Sequence, residues 1–247
     1  MIILDFGSGN TCKNDREIIK KMIDGLDILS YEFKKRIIIK WQLFEEAGDN
    51  VHLCRSSFDF AFAYGRAMGY KTTASVFDKD SLLRLLAITE FDIPFVKIAN
   101  SKELYYLGDY VPRGIDIIQS VGESAPHTLN YTFEDFQRAE KNVNIEDIKI
   151  TTGGLNRIEL TDLPPQGSLC CVSKYPAGVI EYKEVFTEKE LCQGISDHTT
   201  NWDLYKKYKP EIYECHYKLE DSTGLDAGEF ARTPAQLLEL DKYLQEK

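Results

Sequence analysis

The chain has 247 residues, of which 43% are hydrophobic, and a formal net charge of −10. This length suits one well-buried core, and a single α/β barrel commonly has this size, so we expect one domain over residues 1–247. The negative net charge argues against nucleic-acid and anionic-membrane partners, because both bind basic protein surfaces. No apolar run is long enough for a membrane span and no signal peptide is recognisable, so we expect a cytoplasmic protein.

The first half of the chain alternates predicted strands with predicted helices. Apolar runs predict strands at Met1–Phe6, Arg36–Phe44, Tyr70–Phe77 and Phe95–Asn100. Amphipathic stripes predict helices at Asp15–Leu26, Phe58–Met68 and Lys79–Ile88, the last capped by Asp78.

Two of these strands carry a lysine inside an apolar run, Lys40 in the second and Lys97 in the fourth. Burying a lysine is costly unless something anionic meets it. The alternative is a lysine that reaches solvent along its own stem. Two lysines at corresponding places on different strands favour an anion site.

The second half of the chain continues the alternation. Strands are predicted at Gly114–Ser120, Ser168–Tyr175, Leu191–Ser196 and Ile212–His216, and helices at Thr132–Asn142, within 179–191, at Asn201–Tyr208 and at Thr233–Gln245. Eight strands with intervening helices predict a (β/α)8 barrel whose ligand groups lie on the C-terminal rim. Ile145–Gln166 alternates apolar and polar residues about a Gly-Gly pair, which predicts a β-hairpin inserted between the fifth helix and the sixth strand. This insertion is either a lid or an oligomer contact, as in a homodimer.

The six cysteines show no C-x-x-C spacing, and four of them stand in apolar, strand-like tracts. A reduced thiol in such a tract behaves as a small hydrophobe. We therefore expect buried free thiols.

Two histidines stand at the ends of consecutive strands, His198 after the seventh and His216 at the end of the eighth. A strand, a helix and a parallel strand place such ends side by side on one rim. Two neutral imidazoles with an open coordination position suit a catalytic divalent metal, and Asp197 and Glu214 are candidates to fix their tautomers. On spacing alone, hydrogen-bonded structural histidines are the alternative.

The tracts around these histidines, taken with others, resemble the sialic acid (N-acetylneuraminate) synthase family. Ser196-Asp197-His198-Thr199, Glu214-Cys215-His216-Tyr217 and Gly224-Leu225-Asp226 resemble that family's G-x-S-D-H-T, E-x-H-F-T-L and G-P-D. Upstream, KWQLF resembles K-F-Q-x-F, ASVFD resembles S-T-P-F-D, and CCVSKYP resembles the family's H-C-x-S-x-Y-P. The resemblance covers nearly the whole chain in order and implies a barrel that condenses phosphoenolpyruvate with an aldehyde-bearing amino sugar.

The resemblance also implies roles for individual residues. His198 and His216 would hold Mn²⁺ or Mg²⁺. The residues implied in substrate binding are Lys40, Ser75, Lys97, Asn100, Lys102, Ser120, Ser173 and Ser196, and those implied in catalysis are Asp5, Tyr175 and Asp226.

Several positions depart from the family pattern. Asp5 replaces a glutamate, and the histidine of the family's E-I-G-x-N-H is absent, while Asn100 and Lys102 stand where the family has serine and glutamate. The resemblance ends at residue 247, so we expect the catalytic barrel without the C-terminal antifreeze-like domain. A cationic Lys102 beside the acceptor favours an aldehyde that carries phosphate or carboxylate. The alternative is that Lys102 points to solvent at the start of the following helix.

Three functions are compatible with these residues. The first is condensation of phosphoenolpyruvate with an aldose or related aldehyde, and the second is a related barrel enzyme that acts on another aldehyde or a sugar phosphate. The third is a barrel without activity that serves as a binding or assembly protein.

Overall fold

Eight parallel strands close into a barrel in chain order in the computed structural model, which describes residues 1–45, 50–88, 93–99, 102–121, 167–182 and 193–246. The strands are β1 Ile2–Asp5, β2 Ile37–Leu43, β3 Lys71–Val76, β4 Val96–Ile98, β5 Ile117–Val121, β6 Gly167–Cys171, β7 Gly194–Asp197 and β8 Ile212–His216. β1 pairs with both β2 and β8, which completes the closure. The predicted (β/α)8 barrel is thus confirmed.

Alternation along each strand divides the core into an inner and an outer part. The side chains of Ile3, Ile38, Phe95, Ile118 and Leu169 form one apolar cluster inside the barrel, which we call the apolar floor. Their sequence neighbours, such as Leu4 and Ile39, belong to the larger cluster between the sheet and the helices. This follows from the two-residue period of a strand, because alternate side chains point to opposite faces of the sheet.

In the part of the chain that the structure describes, helices pack around the barrel, five of them where the sequence predicts a helix, and the short helices Gly9–Cys12 and Tyr31–Lys34 where it predicts none. They are α1 Gly9–Cys12, α2 Arg16–Asp24, α3 Tyr31–Lys34, α4 Arg55–Ala67, α5 Lys79–Leu86, α6 Asp203–Tyr208 and α7 Pro234–Gln245, with 3₁₀ turns at Gly25–Ile28, Lys102–Tyr110 and Leu225–Ala227. Asp78 accepts a hydrogen bond from the Ser81 backbone N–H at 2.6 Å, as its predicted capping role requires. None of the described helices is long and apolar enough to cross a membrane.

Several predicted elements differ from the structure or lie outside it. The predicted strand Phe95–Asn100 spans only Val96–Ile98 in the structure, and the predicted strand Ser168–Tyr175 ends at Cys171. The predicted helix Thr132–Asn142 and the predicted hairpin Ile145–Gln166 lie outside the described residues.

The prediction that all six cysteines are free is wrong at Cys170, which is disulfide-bonded. Cys12, Cys171 and Cys215 are buried free thiols, whereas the free thiol of Cys54 is only partly buried. Sequence spacing could not indicate the disulfide because such a pairing depends on which segments the fold brings together.

Candidate active site

A layer of buried charged and hydroxyl side chains lies directly above the apolar floor. Asp5 on β1 is the register partner of Lys40 on β2, and Ser75 on β3 is the register partner of Lys97 on β4. Each of these residues follows a floor residue or an inward-facing residue by two positions, so it points into the barrel as well. We call Lys40 and Lys97 with their immediate partners the lysine layer.

Lys40 makes three polar contacts inside the barrel. Its Nζ lies 2.6 Å from Asp5 Oδ2, 2.9 Å from Ser75 Oγ and 3.3 Å from Glu214 Oε2. The residue is 2% exposed, so the alternative that Lys40 reaches solvent is wrong. Burial alone would lower the pKa of Lys40, but the Asp5 and Glu214 carboxylates outweigh it and raise that pKa.

Lys97 is equally buried, but nearby carboxylates neutralise its charge less fully. Its Nζ donates to Ser120 Oγ at 2.6 Å and lies 3.5 Å from Glu214 Oε1. Burial lowers the pKa of Lys97, and the carboxylate of Glu214 offsets only part of that effect. Lys97 is therefore the cation of this layer that gains most from an additional anion.

Glu214 lies between the two lysines and receives a hydrogen bond from Ser196 Oγ at 2.8 Å. Burial would raise the pKa of Glu214, but Lys40 and Lys97 outweigh it and lower that pKa. The sequence suggested Glu214 only as a partner of a histidine, and its bridging position was missed. A signal was present, since Glu214 precedes the inward-facing His216 by two residues on the same strand.

Asp5 and Asp226 are joined by a residue that sequence reasoning did not single out, Gln42. Its Nε2 donates to Asp5 Oδ2 at 3.0 Å and to Asp226 Oδ1 at 3.2 Å. Burial would raise the pKa of Asp5, but Lys40 and His216 hold that pKa well below its usual range. Burial raises the pKa of Asp226, although His216 and Gln42 oppose the change. The pKa values of the two carboxyl groups are therefore shifted in opposite directions.

Asp226 is brought to the site by the 3₁₀ turn Leu225–Ala227, which packs against Gly7 just after β1. Gly7 has a φ of +72°, and a Cβ added there would lie 2.8 Å from the Asp226 Cβ. Glycine is thus needed both for the backbone conformation and for the close approach.

His198 and His216 lie side by side, with ring centroids 5.4 Å apart. His198 Nδ1 lies 2.7 Å from the Val172 carbonyl oxygen, and burial and the neighbouring His216 lower the pKa of His198 to about 3. His198 is therefore a neutral imidazole whose Nε2 carries a free electron pair. His216 Nδ1 is buried without a hydrogen bond, 3.7 Å from Asp226 Oδ1.

The expected role of Asp197 in fixing a histidine tautomer is wrong. Asp197 accepts hydrogen bonds from the Thr199 backbone N–H at 2.7 Å and from the Tyr213 hydroxyl, and it lies 3.5 Å from Arg232 Nη2. Because Asp197 adjoins the inward-facing Ser196, its side chain points out of the barrel, away from the histidines. The Val172 carbonyl takes the expected place at His198 Nδ1.

Two aromatic rings pack on the histidine pair. The Tyr175 ring centroid lies 4.1 Å from that of His198, and the Phe230 centroid lies 4.9 Å from that of His216 and 5.0 Å from that of Tyr175. Phe230 was missed because it stands in a loop with no periodic pattern. Tyr175 is 53% exposed, so it forms the outer wall of the site.

The geometry of the histidine pair fits a divalent cation, since two neighbouring imidazole rings can each offer a ring nitrogen as a ligand. Within the described ranges, no group of three or more histidine, cysteine, aspartate or glutamate side chains is arranged to hold a metal ion. His198 and His216 would thus supply two ligands, and water or a substrate would supply the others.

The remaining predicted site residues are Ser173, Lys102 and Asn100. Ser173 lies in an exposed segment after β6, and Lys102 begins the 3₁₀ turn Lys102–Tyr110. Asn100 lies outside the described residues. The structure therefore brings together Asp5, Lys40, Ser75, Lys97, Ser120, Ser196 and Asp226 with the histidine pair and Tyr175.

The sequence matches no protein-family model and no curated protein. Among solved structures, the fold is similar to N-acetylneuraminic acid (sialic acid) synthetase from Leptospira borgpetersenii in complex with citrate, with 20% identity, a TM-score of 0.66 and coverage of 99% of this chain and 82% of that one. A protein named spore coat polysaccharide biosynthesis protein E from Chromobacterium violaceum has 14% identity, a TM-score of 0.61 and coverage of 99% and 72%. A truncated 3-deoxy-D-arabino-heptulosonate 7-phosphate synthase from Thermotoga maritima has 10% identity, a TM-score of 0.54 and coverage of 99% and 86%. The fold is thus a sialic acid synthase-like barrel.

Proposed function

We propose that the chain is a sialic acid synthase-like enzyme that adds the three-carbon unit of phosphoenolpyruvate to an aldehyde with the help of a divalent metal. The observation that carries this proposal is the arrangement of two buried lysines beneath a pair of neighbouring imidazoles, His198 and His216, at the C-terminal ends of the strands. Active sites of this fold lie at that end of the barrel.

The lysine layer supplies the binding site for the phosphate and carboxylate groups of phosphoenolpyruvate. Lys40 and Lys97 can make charge-assisted hydrogen bonds to these anions, with Ser75 and Ser120 as neighbouring donors. An entering anion competes with the carboxylates of Asp5 and Glu214, which already pair with the lysines. Lys97, whose charge is the less compensated of the two, favours the anion most.

His198 and His216 would bind the metal through their ring nitrogens, and a bound divalent metal would polarise the aldehyde oxygen as a Lewis acid. A carbon–carbon bond then forms from the enol carbon of phosphoenolpyruvate to the aldehyde carbon. Asp226, a partly buried carboxyl group 3.7 Å from His216 Nδ1, is the proposed donor of the proton that the aldehyde oxygen takes up. Water adds to the resulting cation and gives up a proton, and the carbon–oxygen bond to phosphate then breaks, so that phosphate leaves and a ketone remains.

The charge of Lys102 supports a proposal about the chemical class of the second substrate. It stands where the resembled family has a glutamate, close in sequence to the strand that carries Lys97. A positive charge beside the acceptor attracts phosphate or carboxylate, and the attraction grows as the pocket excludes water. The proposed acceptor is therefore an anionic aldehyde, including a phosphorylated aldose, in preference to a neutral N-acetylated amino sugar.

A second candidate function is a binding or assembly protein that has kept the barrel without the chemistry. The observation in its favour is the internal charge balance of the lysine layer, where Asp5 and Glu214 already neutralise the lysines. Such a layer can serve the core as a buried ionic network with no ligand at all.

Incubation with phosphoenolpyruvate, Mn²⁺ and a panel of neutral and phosphorylated aldoses distinguishes the synthase from the binding protein. The readout is phosphate release. Release that requires an aldehyde and is lost in Lys97→Ala supports the synthase. The absence of release across the panel, from protein with a cooperative thermal transition, would overturn the synthase proposal and favour the binding protein.

A further inference from the structure

Arg232 has a fully buried side chain and follows the segment that carries Asp226 and Phe230. Its backbone N–H donates to the His216 carbonyl oxygen at 2.7 Å, and its own carbonyl accepts from the Lys218 N–H at 3.0 Å. The Arg232 backbone thus runs alongside the end of β8 and is fixed to one histidine of the pair.

The Arg232 guanidinium reaches the segment that carries the other histidine. Nη1 donates to the carbonyl oxygens of Thr199 at 2.7 Å and Phe230 at 3.1 Å, and Nη2 donates to the Asn201 carbonyl at 2.6 Å. Nη2 also lies 3.5 Å from Asp197 Oδ2. The residues on both sides of His198 are therefore held by one side chain.

This connection depends on the shape of the guanidinium group. Its planar fork presents several N–H donors at fixed angles, whereas the ammonium group of a lysine is a single nitrogen on a flexible stem. The guanidinium carbon lies 4.8 Å from the Trp202 ring centroid, which fixes the plane of the fork. Asp197 and Arg232 are both 0% exposed, so water cannot replace either partner.

We propose that Arg232 is a positioning residue that sets the relative placement of the His198 and His216 imidazoles. It also places the Phe230 ring against His216, because it holds the Phe230 carbonyl. The consequence for metal affinity rests on the proposed function, whereas the placement of the two rings does not. Residues that orient metal-binding side chains change metal affinity typically by about 10- to 100-fold when they are replaced.

Imidazole NMR tests the placement without metal, since the chain has only four histidines. In Arg232→Met, the ring signals of His198 and His216 are expected to shift while those of the exposed His52 stay unchanged. Arg232→Lys keeps the charge but not the fork, so it should shift the same signals. The double variant Arg232→Met with Asp197→Asn leaves no unpaired buried charge from this pair, so it should fold even if Arg232→Met alone does not, and its His198 and His216 ring signals should still be shifted.

Titration with Mn²⁺ supplies the second readout through paramagnetic broadening of the same signals. The concentration that half-broadens the His198 and His216 signals should rise about 10-fold or more in the Arg232 variants. Arg84→Met is the matched control, because Arg84 is a partly buried arginine that donates to the Leu53 carbonyl at 3.0 Å. It should lower the melting temperature and leave both readouts unchanged.

Unshifted His198 and His216 signals in a folded Arg232 variant would overturn the positioning role and leave Arg232 as a structural residue only. Shifted signals with unchanged Mn²⁺ broadening would overturn the effect on metal affinity. If Mn²⁺ fails to broaden these signals in the wild type, the metal part of the proposed function fails, while the metal-free ring signals still decide the positioning role.

Discussion

Lys40 and Asp5 are register partners on neighbouring strands, and their charged atoms lie 2.6 Å apart where each side chain is only 3% exposed. Taking two charges out of water is expensive, so each is stable there only while its partner is present. Glu214 completes the arrangement at 3.3 Å from Lys40. The lysine layer is therefore balanced internally, and this balance governs both stability and anion binding.

Replacing Asp5 by asparagine should destabilise the protein by about 3 kcal/mol, because removing one partner of a buried ion pair leaves the other charge uncompensated. Urea unfolding measures the loss. The double variant Asp5→Asn with Lys40→Met is the control, since it removes both charges. It should be less destabilised than the sum of the two single variants, and strict additivity would show that the pair is not coupled.

The lowered pKa of Asp5 should also make the stability of the protein depend on pH. Its folded pKa is lowered, so its contribution is fully present above its unfolded pKa of about 4 and is lost as the pH falls below that value. The unfolding free energy of the wild type should therefore drop more steeply from pH 6 to pH 3 than that of Asp5→Asn. Parallel curves for the two proteins would contradict the lowered pKa.

Phosphoenolpyruvate or inorganic phosphate should raise the melting temperature, because a ligand that binds only the native state stabilises it by about 2.7 kcal/mol at 100 times its Kd. Lys40→Ala and Lys97→Ala should each remove most of this increase. Lys71→Ala is the control, since Lys71 is exposed at the start of β3 and faces solvent. The full increase in both lysine variants would exclude the lysine layer as the anion site.

His198→Ala and His216→Ala should each abolish stoichiometric retention of Mn²⁺ or Mg²⁺, because each removes one of the two imidazole ligands. Equilibrium dialysis followed by metal analysis measures the retained ion. His52→Ala, at an exposed histidine, is the matched control and should bind as the wild type does. Equal metal affinity in the wild type and both variants would remove this histidine pair from the metal site.

Lys102→Glu should change which acceptor is used. With the lysine present, kcat/KM should be higher for phosphorylated aldoses than for N-acetylmannosamine, and the charge reversal should reduce or invert that ratio. Steady-state phosphate release with each sugar measures it. Efficient turnover of N-acetylmannosamine that Lys102→Glu leaves unchanged would show that the lysine does not contact the acceptor.

The barrel could be predicted from the sequence because each strand is a local signal. The apolar run around Lys40, for example, indicates a buried strand, its length and the positions that face inward, without reference to the rest of the chain. The position of His216 at a strand end was predictable for the same reason, and the observed strand Ile212–His216 matches the predicted one.

The contacts between distant segments could not be predicted in the same way. Glu214 bridges Lys40 and Lys97 only because closure of the barrel brings β8 close to β2 and β4. Arg232 and Phe230 stand in a loop without periodicity, so nothing local marked them as neighbours of the histidine pair. The outward direction of the Asp197 side chain could have been predicted, because successive residues of a strand point to opposite faces and Ser196 points inward. The prediction instead relied on the charge of Asp197 and its place beside His198 in the motif.

The apolar floor has a consequence for the order in which ligands exchange. Its five side chains lie beneath the lysines, so within the described barrel a polar molecule reaches the lysine layer from the rim, past the histidine pair and Tyr175. A ligand at the lysines is therefore expected to bind before a ligand at the rim and to leave after it. For the two substrates of the proposed reaction, this order predicts an ordered kinetic scheme, with the anion bound before the aldehyde.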